Sequence, residues 1–138
     1  MGRVDTRRYI EPVGVRKAGN TGLVNINLAV TSFALHTLPI GTPSTAKIRK
    51  ILAFNATGAN VNLMLGYLTL AAAFVQTIPD LFCLNGFENI WNEADLPNYE
   101  FRPDTTLVTG TLGDIIAQIS ACPANQVAVI LEVEEIRQ

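Results

Sequence analysis

The chain has 138 residues, of which 49% are apolar and only 16% charged, with a formal net charge of −2. This length suits one domain with a substantial core, and no apolar run reaches the roughly 20 residues of a membrane helix, so we expect no membrane contact. Because ordinary domains carry roughly 25% charged residues, we expect other chains to cover part of the surface, in preference to a surface of Ala, Thr and Asn that faces water.

Residues 1–20 are predicted to be an N-terminal arm ahead of one domain at residues 21–138. Residues 1–17 contain five basic and two acidic residues, a balance of +3, whereas residues 80–114 contain seven acidic residues and one basic residue, a balance of −6. These segments either attract each other between neighbouring subunits or form a solvated tail and rim. Since arms often order only against a partner, the candidate partner-binding residues are Arg3, Arg7, Arg8, Tyr9 and Ile10. Tyr9 is the only aromatic residue among these cations, so we expect no direct binding of nucleic acid.

The first extended stretch of the domain runs from Leu23 to Leu38, after a predicted loop at Lys17 to Gly22. Its apolar residues alternate with polar ones up to Thr31. The apolar positions up to Thr31 are Val24, Ile26, Leu28 and Val30. After Thr31 the pattern shifts by one residue, and the apolar positions become Phe33 and Leu35. A slip of one residue indicates a β-bulge or a change of sheet.

Ala46 to Tyr67 is predicted to be a β-hairpin and the central ribbon of the domain. Asn55 to Asn60 is rich in turn formers, and the runs on both sides alternate with a period of two. In the first run, one face is predicted to carry Ile48, Lys50, Leu52 and Phe54, and the other face Lys47, Arg49 and Ile51. The three basic residues of this run are interpreted as edge protection, in preference to a grip on phosphate or on an acidic neighbour.

The rest of the chain is predicted to contain further short strands. Phe74–Ile78 is one, ended by Pro79-Asp80, and Asn85-Gly86 predicts the turn of a second hairpin. Leu68–Ala73 is a loop or a helical turn, and Asn92 begins one helical turn. The remaining predicted strands are Tyr99–Phe101, Thr105–Val108, Asp114–Ala121 and Val127–Ile136, with Val127, Val129, Leu131 and Val133 facing inward. Nine or ten strands without a long helix predict an all-β, single-domain antiparallel β-sandwich that is jelly-roll-like, with an extended N-terminal arm.

No cluster of residues indicates catalysis, a metal ion or a cofactor. His36 is the only histidine, and no GxSxG motif accompanies it, so it is interpreted as a strand-end residue. One histidine is also too few for a cupin-type metal site. Glu93 with Asp95, and Glu88 with Glu100, resemble the paired carboxylates of glycosidases, but they are interpreted as solvent-exposed acids.

Four other residues carry secondary hypotheses. Cys83 and Cys122 are interpreted as buried apolar residues, and the question of a disulfide between them stays open. Trp91 and Tyr99 are candidate stacking platforms for a sugar, although a lone Trp at a strand end is more often a core residue or a subunit contact.

The stretch LHTLPIGTPSTAKIRKILAFNATGANVNLMLGY, followed by FVQTIPDLFCLNGFENIWNEADLPNYEF, resembles small β-sandwich head proteins of tailed phages and related viruses. The similar features are a Pro-Ile-Gly loop, a basic strand that ends in Phe-Asn-Ala-Thr-Gly, Leu-Pro-type turns and a closing Glu-Val-Glu-Glu strand. Proteins of this family decorate or cement an icosahedral shell. The resemblance implies a homo-oligomer, commonly a trimer, that is seated on the major capsid protein with its N-terminal arm as a clasp.

These observations favour a non-enzymatic structural protein of a bacteriophage-like virion, located on the capsid surface and assembled in the host cytoplasm. The alternative is a carbohydrate- or receptor-binding β-sandwich module that uses Trp91 and Tyr99. A hydrolase that uses Glu93 or Asp95 is a third hypothesis.

Overall fold

The computed structural model describes residues 15–37, 44–69, 71–101 and 114–137. Within these ranges the chain forms ten strands and one turn of 3₁₀ helix, at Glu93–Asp95. The strands are β1 (Val15–Asn20), β2 (Val24–Ile26), β3 (Phe33–Thr37), β4 (Ser44–Asn55), β5 (Val61–Leu68), β6 (Phe74–Cys83), β7 (Glu88–Asn92), β8 (Glu100–Phe101), β9 (Asp114–Ile119) and β10 (Val127–Arg137).

The strands form two antiparallel sheets. Sheet A has the order β1-β10-β4-β7, with β2 also beside β10 and β8 also beside β4, and sheet B has the order β3-β9-β5-β6. The chain passes to the other sheet between most consecutive strands, and β5 and β6 form the one hairpin of the described residues. This is the double-sheet arrangement of a jelly roll. The prediction of an all-β sandwich is therefore confirmed.

The core lies between the two sheets and follows from the alternation of apolar residues. In β10, Val127, Val129, Leu131 and Val133 are buried, as predicted. They face the buried residues of sheet B, among them Leu63, Leu65, Ile115, Ala117 and Ile119. Each of these strands therefore has one apolar face directed inward.

The predicted hairpin at Ala46–Tyr67 is wrong. Its two strands exist as β4 and β5, but β4 belongs to sheet A and β5 to sheet B, so that they do not pair with each other. Alternation specifies which face of a strand is buried but not which strand it pairs with. The same pattern is therefore compatible with a hairpin and with a crossing between sheets. Asn55 to Asn60 is therefore a corner between the sheets.

The predicted faces of β4 are also wrong, because the strand contains a β-bulge. Ile48 lies opposite Val133, and Lys50 opposite Glu132, so Arg49 is an extra residue between them. An extra residue reverses the alternation that follows it. Ile48 is buried before the bulge and Ile51 after it, and the later residues Leu52 and Phe54 face outward.

Two predictions for the middle of the chain also need correction. Asn85-Gly86 does form a turn, with Gly86 at a φ of 77°, but it joins β6 in sheet B to β7 in sheet A and is not a hairpin. Pro79 does not end its strand, because β6 continues to Cys83. A proline fits there because β6 is an edge strand with a register shift at this point.

Two other predictions are confirmed in part or in full. The chain does change sheet in the stretch from Leu23 to Leu38, from β2 in sheet A to β3 in sheet B, but β2 ends at Ile26, so Leu28 and Val30 are exposed in a turn and do not continue its apolar face. Asn92 precedes the 3₁₀ turn. Lys17 to Asn20, predicted as a loop, belongs instead to β1 and pairs with β10. Thr105–Val108 and residues 1–14, which hold most of the predicted arm, lie outside the described residues.

Candidate interaction surface

The outer face of sheet A presents apolar side chains to solvent. The pairing of β10, β4 and β7 places Ile130, Leu52 and Ile90 in one row across this face. Phe54 lies in the next row, beside Ala128. Phe54 and Ile90 are each 46% exposed. We call these five residues the apolar face.

Charged and polar residues border the apolar face at both ends. Glu132, Lys50 and Asn92 form the row on one side of it. On the other side Glu88 lies opposite Phe54. Within the part of the chain that the structure describes, the side chains of Lys50, Glu88 and Glu132 take part in no ion pair or hydrogen bond.

A cluster of four charged residues lies beyond Lys50 on the same face. Glu93 accepts hydrogen bonds from Lys47, at 3.0 Å between Nζ and Oε1, and from Arg49. The other guanidinium nitrogen of Arg49 donates to Glu134 at 2.5 Å. Because β4 lies between β10 and β7, these basic residues are not on an edge strand, and their interpretation as edge protection is wrong. They bind acidic neighbours of the same chain instead.

We expect the Glu93 carboxyl group to titrate at low pH. The hydrogen bond from Lys47 lowers the pKa of Glu93 below its ordinary value of 4.5. Desolvation of the carboxylate opposes this effect, and the positive charge of Arg49 adds to it. Since the folded-state pKa is depressed, the stabilisation is present above about pH 4.5 and is lost as the pH falls through the folded-state pKa. In an NMR titration of the carboxyl carbon, Lys47→Met should raise the pKa of Glu93 toward its ordinary value.

Lys50→Met is the matched control for this titration, since it removes a charge from the same strand without removing a partner of Glu93. It should leave the titration of Glu93 almost unchanged. An equal shift in both variants would mean that the general charge of the face, and not the hydrogen bond from Lys47, sets the pKa.

A second group of exposed apolar residues lies where the chain passes from β6 to β7. Phe82 is 56% exposed on the edge strand β6, and Phe87 is 64% exposed in the corner that follows. Leu84 is exposed between them. Leu23, Leu28 and Val30 are exposed around β2, and Val30 adopts a φ of 50°, which is unusual for a β-branched residue.

A buried polar network fixes the corners next to the apolar face. The side-chain nitrogen of Asn55 donates to the carbonyl oxygens of Ala59 and Cys83, at 2.8 and 3.1 Å. Its side-chain oxygen accepts hydrogen bonds from the backbone N–H and the hydroxyl of Thr57, at 2.9 and 2.7 Å. The backbone carbonyl oxygen of Asn55 accepts a hydrogen bond from the N–H of Gly86. Asn55 therefore ties the β4–β5 corner to the β6–β7 corner.

His36 joins the two sheets at the opposite end of β10. It lies in β3 of sheet B, and its Nε2 is 3.0 Å from Oε1 of Glu135 in sheet A. Since the carboxylate accepts, the imidazole nitrogen in this pair carries the proton. The observed role of this histidine is a structural link between the sheets.

The other predicted site residues have structural contacts. Trp91 lies opposite the fully buried Ile51 and packs against the core, as does Tyr99, whose ring meets Phe101 edge to face at 4.8 Å. Asp95 accepts a hydrogen bond from the backbone N–H of Asn92 and so stabilises the 3₁₀ turn. Trp91 and Tyr99 are therefore partly buried against the core.

The two cysteines are free thiols in different surroundings. Cys83 is fully buried, and burial raises the pKa of its thiol to about 12, whereas Cys122 is half-buried. We therefore expect N-ethylmaleimide at neutral pH to modify Cys122 in the folded protein and to leave Cys83 unmodified. Mass spectrometry of the wild-type chain should show one adduct before unfolding and two after it. The Cys122→Ala variant should show at most one adduct, whether it is folded or unfolded. Rapid modification of Cys83 in the folded chain would contradict its burial.

No other chemical site stands out in the described ranges. They contain no group of three or more His, Cys, Asp or Glu residues placed to hold a metal ion. No helix in them is long and apolar enough to cross a membrane. A cavity of about 110 Å³ opens beside the charged cluster, which is small compared with the roughly 300 Å³ at which ligand pockets usually begin. Its lining residues are Lys47, Ile48, Glu93, Leu96, Pro97 and Asn98.

The predicted partner-binding residues Arg3, Arg7, Arg8, Tyr9 and Ile10 lie outside the described residues. Uninterrupted period-two alternation places Leu52 and Phe54 on the same side as Ile48, so the sequence does not predict the apolar face. The bulge has a signal in the run Ala-Lys-Ile-Arg-Lys-Ile at residues 46–51, in which the apolar positions are separated first by one residue and then by two.

In comparisons with known proteins, no protein-family model and no curated protein matches this chain.

Proposed function

We propose that this protein is a non-enzymatic structural protein of a virion, which decorates or cements an icosahedral capsid. In this proposal, identical copies contact one another, as a trimer or another homo-oligomer, and contact the major capsid protein. The observation that carries the proposal is an exposed apolar face on a jelly roll, an architecture that viral capsid subunits use. Lectins use the same architecture, but the partial burial of Trp91 and Tyr99 against the core favours the structural role.

The mechanism is burial of apolar surface between many copies. Apolar side chains that lie side by side on an exposed sheet face form the kind of patch that often marks an interaction site. A shell presents many equivalent sites, so contacts that are individually weak but favour the assembled state stabilise it by mass action. The low fraction of charged residues is consistent with a surface that is covered in the assembly.

The arm supplies the second part of the proposed contact. Its basic and apolar residues Arg3, Arg7, Arg8, Tyr9 and Ile10 precede β1, which begins at Val15 at an edge of sheet A. A deletion of residues 2–14 removes these side chains and spares every paired residue of β1. This deletion therefore separates shell binding from folding.

The experiment is co-sedimentation with virus particles that were assembled without the gene for this chain. We expect the purified full-length chain to bind saturably and to decorate the shell at symmetric positions in electron micrographs. The chain without residues 2–14 should bind much more weakly while its circular dichroism and melting temperature stay unchanged. Absence of the full-length chain from the particles would refute the capsid role, and full binding by the deleted chain would refute the role of the arm.

A further inference from the structure

The outer face of sheet A has the size of a subunit interface. β4 has 12 residues, which corresponds to a length of about 40 Å, and four strand positions correspond to a width of about 19 Å. The face therefore covers roughly 750 Å², close to the roughly 800 Å² that each partner buries in a standard protein interface. Its centre is the row Ile130, Leu52 and Ile90.

Three charged side chains on this face have no partner in the described chain, namely Lys50, its cross-strand neighbour Glu132, and Glu88. Lys50 and Glu88 have opposite signs. Lys50 lies one row to one side of Leu52, and Glu88 lies one row to the other side. They are separated by about 13 Å along the strands, so they cannot pair with each other within one chain. A second copy of the sheet can be stacked face to face on the first, with its strands running in the opposite direction. In this arrangement, the Lys50 row of each copy lies over the Glu88 row of the other copy.

We propose that the outer face of sheet A binds the same face of a second copy of this chain, about a two-fold axis that runs along the row Ile130, Leu52 and Ile90. The apolar faces of the two copies then meet at the centre. Lys50 of each copy faces Glu88 of the other, which gives two equivalent ion pairs at the border. Reciprocal contacts of this kind characterise two-fold interfaces. This pairing specifies the homo-oligomeric contact of the proposed function and rests on it.

The first test replaces apolar residues and measures self-association by sedimentation velocity up to about 100 μM chain. The wild-type chain should form a dimer or a larger even-numbered assembly. Ile90→Lys places like charges near the axis and should weaken association about a hundredfold or more. Phe82→Lys, a matched change on the outer face of sheet B, should leave association within about threefold of the wild type.

The second test reverses the charges. Lys50→Glu and Glu88→Lys should each weaken the homodimer about tenfold, because each variant opposes like charges twice. A one-to-one mixture of the two variants should form a mixed dimer, and the double variant should recover the wild-type affinity, since both restore opposite charges. Only a contact between these two residues of different copies gives this recovery.

A monomeric wild-type chain, or association that Ile90→Lys does not weaken, would overturn the two-fold contact. So would a trimer that is insensitive to both charge reversals. Each of these results is compatible with a chain that still binds the shell in the co-sedimentation experiment, so the two proposals fail separately.

Discussion

Gly66→Ala is expected to destabilise this protein by about 4 kcal/mol or more, enough to prevent soluble expression or to lower the melting temperature by more than about 10 °C. Gly66 lies in β5, opposite Gln76, where the register of the β5–β6 hairpin shifts. A Cβ atom at this position would overlap the carbonyl oxygen of Val75 and would lie 2.7 Å from its carbonyl carbon and 2.9 Å from Cα of Gln76. Backbone atoms cannot move aside as a flexible side chain can, so the two strands would have to separate.

The matched control is Gly22→Ala, in the exposed segment between β1 and β2. A Cβ atom there would have no neighbour within 4 Å, and the residue does not have a positive φ. We expect a change within about 0.5 kcal/mol, or slight stabilisation through the unfolded state. Urea unfolding of both variants measures the difference. Near-wild-type stability of Gly66→Ala would show that β5 and β6 are not as close as the structure places them.

Asn55→Ala is expected to cost about 3 kcal/mol of unfolding free energy and to lower the melting temperature by about 10 °C. The side chain of Asn55 is fully buried and forms four hydrogen bonds, two with Thr57 and one each with Ala59 and Cys83. Alanine leaves the backbone N–H of Thr57 and the carbonyl oxygen of Cys83 without these partners. A buried polar group that loses its partner costs far more than an average hydrogen bond contributes.

Asn60→Ala is the control for this prediction. Asn60 is exposed in the same corner, and its side chain accepts one hydrogen bond, from the backbone N–H of Asn85 at 2.9 Å. Water can replace that partner, so we expect a loss of at most about 1 kcal/mol. Differential scanning calorimetry of the two variants compares them directly. An equal loss in both would argue that the corner as a whole, and not the buried amide, determines stability.

Asn55 is also the first residue of an Asn-Ala-Thr sequence, which fits the acceptor pattern for N-glycosylation. In the fold, Asn55 and Thr57 are both fully buried, and Thr57 donates two hydrogen bonds to the side-chain oxygen of Asn55. A glycan on Asn55 is incompatible with this packing. The residues that form this pattern have a structural role, which explains why the pattern is present in a corner of the core.

The sequence alone determined the all-β class and the buried face of β10, because alternation between apolar and polar residues is a local property of the chain. It also located the turns at Asn55–Asn60, at Asn85-Gly86 and at Asn92, since the residues that favour turns act within a few positions. The change of sheet between β2 and β3 had its signal in the slipped alternation as well.

Only the tertiary structure decided which strands pair and where the outer face of sheet A lies. A turn between two alternating strands leads to a hairpin or to the other sheet, and here the bonds from Asn55 to Ala59 and Cys83, residues of two different corners, fix the second outcome. The extra residue Arg49 reverses the alternation of inward and outward side chains in β4, so that Leu52 and Phe54 point to solvent. Both effects depend on residues that are distant in sequence, and for that reason period-two patterning within one strand could not specify them.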